Sequence, residues 1–248
     1  MKSSLLFFAP KGDTDLLLRK PNFRSHQESL PGAPDPDAAT EESNEDAEQD
    51  DQTEHQHAVE EFEDVPSSIE SFEDLKKLKP FDEDGQIVEI CYRVSSAHLM
   101  LVSPVFKAML DGPFRESSRN EDGRFEVITS ECSAPALLIL LDIIHGHHRD
   151  VPKTMELGLL TEMAILVDYY ECHEIVEMFA ENWIASIIQE DGIERSTHQT
   201  NMSRLFISWV FGKEELFNST VQTLLKVTAG PIHTDLLLPS IILGKLQQ

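Results

Sequence analysis

The sequence predicts an α+β fold: a small β-sheet flanked by helical hairpins, extended at the carboxyl end by further helices and preceded by a disordered acidic tail. Three observations predict it. Residues 87–94 (IVEICYRV) carry β-branched and aromatic side chains with the alternation of a strand. Downstream, apolar residues recur at helical spacing in blocks separated by Gly, Pro and polar turns. Residues 35–64 hold fourteen Asp and Glu and no Lys or Arg, a composition that cannot bury enough apolar surface to offset chain entropy. The chain accordingly divides into a disordered tail (1–66), the α+β domain (67–188) and a helical extension (189–248).

Taken in order, residues 1–66 read as disordered: Pro31, Pro34 and Pro36 and many Ser, Asp, Glu and Gln leave few large apolar groups. The opening MKSSLLFFAP has an apolar patch shorter than the roughly seven to fifteen residues of a signal-peptide core. Residues 67–79 place Ile69, Phe72, Leu75 and Leu78 every third residue behind Ser67 or Ser68 as a cap, a short amphipathic helix. Ser95 and Ser96 offer hydroxyls to a short, mostly buried helix with apolar Ala97, Leu99, Met100, Leu101 and Val102. Ser103 then caps a second helix with Pro104 at its first position, ended by Asp111, Gly112 and Pro113. After a polar loop (117–123), residues 124–128 read as a strand with Phe125 and Val127 on one face. Ser133 caps a helix over 134–145 that is apolar on nearly every side and so deeply buried. Helices over 155–170 and 173–188 form a hairpin, the second with a stripe of Ile175, Val176, Phe179, Trp183, Ile184, Ile187 and Ile188. Segments 202–211, 214–228 and 236–243 complete the extension.

The stretch VSSAHLMLVSPVFKAMLDGPFRESS at residues 94–118 resembles the heart of the BTB/POZ domain, in the style common among fungal BTB proteins. The similarity continues through RFEVI (124–128), ALLILLDIIHGHHRDVP (136–152) and LLTEMAILVDYYECHEIVEMFAENWI (159–184), in family order. The resemblance implies a protein–protein interaction module that self-associates as a homodimer, docks a cullin-type ubiquitin ligase scaffold, or both. It implies a cullin contact at Phe114 and Glu116, which fill the family's pattern of a bulky apolar residue, any residue, then Glu. It also implies that the helix bearing Ile69, Phe72 and Leu75 packs across a dimer interface, although periodicity alone equally allows packing on its own domain. The alternative function is a transcription co-regulator or assembly scaffold with no ligase link. One departure stands out. Many BTB domains open with two strands joined by a turn, yet residues 85–95 have room for one. Either the first strand is lost or residues 87–94 are a fused remnant of the hairpin. His98 also stands where an apolar residue is usual and reads as a core or subsurface histidine.

Charge narrows the partners. The chain carries 45 acidic against 20 basic residues, and even residues 81–248 have 25 against 12. Nucleic acid and anionic membrane surfaces need clustered cations, so neither is an expected partner. No apolar run approaches the roughly 20 residues that span a bilayer, so the protein is expected to be soluble. Cys91, Cys132 and Cys172 are odd in number and form no CxxC, which fits reduced thiols of cytoplasm or nucleus. His145, His147 and His148 crowd one turn, but HxHH lacks a carboxylate or cysteine at ligand spacing and suits the negative end of a helix. Trp183, Tyr169 and Tyr170 are read as core packing, not a cofactor box. Phosphate-loop, dinucleotide, nucleophile-elbow and zinc-protease patterns are all missing, so no enzyme activity, metal or cofactor is expected.

Overall fold

Gly12 and Pro21 bracket a short apolar run, Leu16, Leu17 and Leu18, and in the computed structural model that run is a central strand of the sheet. The structure describes residues 3–9, 11–24, 71–190, 197–227, 234–240, 242 and 244. Strands β1 (Ser3–Phe7), β2 (Thr14–Arg19), β3 (Glu89–Val94) and β4 (Phe125–Ser130) form one sheet in the order β1-β3-β2-β4. β2 runs antiparallel to β3 and parallel to β4, while β1 runs parallel to β3. Register aligns Leu6, Tyr92, Leu16 and Val127 in one row across all four strands. Because side chains alternate between faces, Leu18, Ile90 and Val94 join Leu16, Tyr92 and Val127 in the core, and Leu5, Cys91, Leu17 and Ile128 make the matching row on the open face.

The helices are α1 (Phe72–Lys77), α2 (Ser96–Val102), α3 (Pro104–Asp111), α4 (Ala134–His145), α5 (Leu157–Tyr170), α6 (His173–Glu190), α7 (His198–Val210) and α8 (Glu214–Val227). α4 buries all but its edges, as its nearly uniform apolar sequence requires. Its last turn closes on Gly146 at φ 80°, where a side chain would be strained. α3 starts as expected, with the Ser103 hydroxyl accepting from the Phe106 N–H at 3.0 Å and Pro104 in the first turn. Trp183 is fully buried in α6 and its indole N–H donates to Pro152 O at 2.7 Å, so it is a packing residue with its one polar atom satisfied. Met202, Leu205, Phe206 and Val210 of α7, Leu224 of α8 and Leu238 join the same hydrophobic cluster as α4, α5 and α6. The extension beyond residue 189 therefore shares the core of the preceding helices.

Several expectations are corrected by this architecture. The tail 1–66 is not uniformly disordered: residues 3–9 and 11–24 are folded, and the acidic run 35–64 lies outside the described residues. The strand thought lost or fused is neither. It is β2, placed far upstream, so that the acidic run sits within an insertion between β2 and α1. The cap of α2 is also not what its local sequence offers. Ser95 makes no side-chain cap, and the carboxylate of Asp13, from the turn before β2, accepts from the Ser96 N–H at 2.8 Å and the Ser96 hydroxyl at 2.7 Å. Burial works to raise the Asp13 pKa, but those two hydrogen bonds, with its own backbone N–H and the Arg119 charge, outweigh it and hold the carboxyl below its usual range.

Asn22 does the same for α4 and more. Its side-chain oxygen accepts from the Ala134 N–H at 2.9 Å, while its amide N–H donates to Leu75 O at 2.7 Å and Leu78 O at 3.0 Å. Asn22 is buried and adopts φ 58°, a left-handed conformation that Asn tolerates better than most residues. One side chain thus ties the exit of β2 to α1 and to the start of α4. Asn22→Ala orphans three buried backbone groups, each worth about 1–3 kcal/mol, so a loss of at least about 3 kcal/mol is expected in urea unfolding. A loss below about 1 kcal/mol would mean that water takes over these bonds and the clamp is not structural.

Candidate interaction site

After α3 the chain has nowhere to continue as helix. A Cβ at Gly112 would sit 2.1 Å from Ala108 O and 3.2 Å from the Phe114 ring, so the chain can pass here only as glycine. Pro113 follows, and Phe114 opens a 3₁₀ turn, Arg115–Ser117. Phe114 O accepts from both the Ser117 N–H (3.2 Å) and the Ser117 hydroxyl (2.7 Å), which fixes the turn. The Phe114 side chain is left 54% exposed, and Glu116 two residues on is half-buried. The turn rests on β4 through an Arg115 to Glu126 ion pair at 3.8 Å. The next loop is fastened by Arg119, whose guanidinium lies 4.1 Å over the Phe125 ring and 3.5 Å from an Asp13 oxygen. A bulky apolar residue held outward on a fixed turn has the chemistry of a partner anchor.

The other sequence-derived residues fall elsewhere. Leu75 is 1% exposed and packs in its own core, so it is removed from the partner-facing set: α1 is bound to its own domain, by Asn22 as well as by burial. Phe72 is partly buried against the same core with the Lys76 ammonium 5.2 Å from its ring centre, and Ile69 lies outside the described residues. Leu101, expected on a buried helix, is 82% exposed on α2 because that short helix turns only Ser96 and Leu99 fully inward. It is an apolar surface residue that spacing did not reveal. Ile188, assigned to the inner stripe of α6, is likewise exposed.

His98 is exposed, not buried, and its ring stacks on His145 at 5.3 Å. His145 is held on both sides. Its Nε2 accepts from the Ser95 N–H at 3.1 Å, so Nδ1 carries the proton and donates to Leu141 O at 2.9 Å. Neither nitrogen is left for a metal, and burial holds its pKa below the usual histidine range. Phe8 packs against both His145 (5.7 Å) and His147 (5.9 Å). His147 in turn lies 3.2 Å from Asp142, whose carboxyl is pushed up to about 6, chiefly by burial. Among the described residues no group of three or more His, Cys, Asp or Glu could hold a metal ion, and no helix is long and apolar enough to cross a membrane. The thiols are free; burial pushes Cys91 up to about 11 and Cys132 and Cys172 up to about 12, which leaves them poor nucleophiles.

The raised Asp142 pKa makes a pH-dependent contribution of known sign. A carboxyl whose folded pKa lies above its unfolded value of about 3.9 favours the fold below that value and loses the contribution as pH rises through about 6. Asp142→Asn, which mimics the protonated form, is therefore expected to raise the melting temperature at pH 7.5, with the gain shrinking towards zero by pH 4. A gain of equal size at both pH values would refute this assignment.

Compared with protein families, residues 87–186 match the model of the BTB/POZ domain. The match takes in β3, the α2 and α3 pair, the Phe114 turn, β4, α4, α5 and most of α6; β1 and β2 lie outside it. No curated protein matches the chain.

Proposed function

This chain carries a BTB/POZ domain, a protein–protein interaction module, and from that premise we propose that the protein is a non-enzymatic adaptor which docks a cullin-type ubiquitin ligase scaffold through Phe114 and Glu116 and presents a second protein to it. The observation that supports this reading is the Phe114 turn: an aromatic side chain more than half exposed, on a turn already fixed by its own hydrogen bonds, with a carboxylate two residues on. A pre-ordered anchor loses little conformational freedom on binding, and truncating such anchors typically costs at least about 2 kcal/mol. Self-association belongs to the same proposal, through surfaces other than Leu75. So does residence in cytoplasm or nucleus, which suits three free thiols.

The test compares Phe114→Ala and Glu116→Lys for thermal stability and for binding to a cullin amino-terminal domain by calorimetry. Since Phe114 is exposed, Phe114→Ala is expected to change stability by less than about 0.5 kcal/mol, while both variants weaken binding at least tenfold, about 1.4 kcal/mol. If the wild-type protein binds no cullin, or Phe114→Ala unfolds the domain, the ligase-adaptor reading fails and a co-regulator or assembly scaffold takes its place.

A further inference from the structure

β4 is an outer strand of the sheet, with β2 on one side and no described strand on the other. Phe125 and Glu131 donate their N–H groups towards the β2 side, to Asp13 O and Arg19 O, both at 2.9 Å. Successive residues of a strand direct their backbone groups to opposite sides, so Ile128 and Ser130 present theirs outward. Those outward groups do not face open solvent alone. Two adjoining cavities, of about 590 and about 430 Å³, share Arg24, Glu131, Glu162 and Ile165 and together form a groove. One wall is residues 128–132, the other is α5, and α7 with residues 234–237 closes the end.

The groove has an apolar floor and an acidic rim. Phe23, Ile165, Leu166, Met202 and Phe206 supply the floor, and Ile128, Tyr169 and Leu237 are exposed at the lip. Its carboxylates are Glu131, Glu162, Asp168 and Asp235, and its guanidinium is that of Arg24. Counting Lys20, 2.9 Å from Glu131, two cations stand against four carboxylates, so the rim is net negative. A free strand edge accepts another extended chain, and a net negative rim around an apolar trough selects cationic side chains with apolar ones between them.

We infer that this groove is a docking site for an extended cationic peptide segment of a partner protein, which adds as a strand to the free edge of β4. Main-chain bonds to Ile128 and Ser130 supply the register. Alternate side chains then fall into the apolar floor and out towards the acidic rim. The surface is separate from the Phe114 turn, so it holds whether or not a cullin binds there.

The test uses the full chain and three labelled peptides in fluorescence anisotropy at physiological salt: an alternating Lys/Val peptide, its Glu/Val counterpart, and the Lys/Val peptide N-methylated at alternate residues. The Lys/Val peptide is expected to bind at least tenfold more tightly than either of the others. Glu162→Lys combined with Asp235→Lys should weaken it at least tenfold, whereas Glu174→Lys combined with Glu177→Lys, the same charge change on the exposed face of α6, should not. Absence of binding at millimolar peptide overturns the inference. So does equal binding of the N-methylated peptide, which cannot pair with a strand, or of the Glu/Val peptide, or an equal loss in the α6 control, which would reduce the effect to diffuse charge.

Discussion

Three buried hydrogen bonds from Asn22 are the constraint on which the rest of the molecule depends. They meet the backbone of α1 at Leu75 and Leu78 and of α4 at Ala134. The sheet cannot close without β2 between β3 and β4, yet β2 and β3 are separated by a long insertion. Asn22 is where the chain leaving β2 is tied to both α1 and α4, beyond that insertion. Asp13, on the other side of β2, is tied to the start of α2. A single strand therefore carries a helix cap at each end, and both serve helices that lie on the far side of the insertion in sequence.

This arrangement explains why the acidic run is tolerated inside a domain. The entropic cost of joining two fixed points grows only with the logarithm of the number of residues between them, roughly 0.6 kcal/mol per doubling, so a long insertion costs little more than a short one once its ends are fixed. The fold requires only that the ends be fixed. Asn22 and the burial of Leu75 and Leu78 do that within a few residues of each end. It also explains why the family match begins at residue 87: the contiguous part of the domain starts only after the insertion, with its partner strand stranded upstream.

The helical body was legible because its signals are local. Ser103 and Pro104 start α3, Ser133 and Gly146 bound α4, and an almost wholly apolar α4 is buried for want of any face that water would accept. β2 carries a local signal too, three leucines between Gly12 and Pro21. That run is short, and composition averaged over residues 1–66 is dominated by the acidic segment downstream of it. The caps from Asp13 and Asn22 could not be read at all, since they act on helices 83 and 112 residues away. Exposure failed for a related reason. Apolar spacing assigns faces to a helix but not the depth of its neighbours, so it puts Leu101 of a two-turn helix inside, as the family's usual apolar residue does His98, whereas only Ser96 and Leu99 of that helix are buried. Of the candidate site, Phe114 and Glu116 could be singled out from pattern, while the groove beside β4 could not, because it is assembled from five separated segments.

Both surfaces hang on β4. The Phe114 turn is braced against its first half through Glu126, and the loop after it through Phe125, while the groove opens along its second half, at Ile128 and Ser130. Four residues of extended strand separate Glu126 from Ser130, about 13 Å at the usual rise. That spacing sets the exposed turn and the groove apart along the strand. β4 itself is positioned by its parallel register with β2, from Thr14 opposite Phe125 to Arg19 opposite Ser130. The buried Asp15 adds a second fastening, since its carboxylate takes Arg124 at 2.8 Å on one side and pairs with Arg93 on the other. Removing one arginine leaves that carboxylate partly unpaired in a site poor in water, which costs more than the exposed pairs of the outer loops. A strand outside the family match is thus the one that positions β4, along which the Phe114 turn and the groove are both arranged.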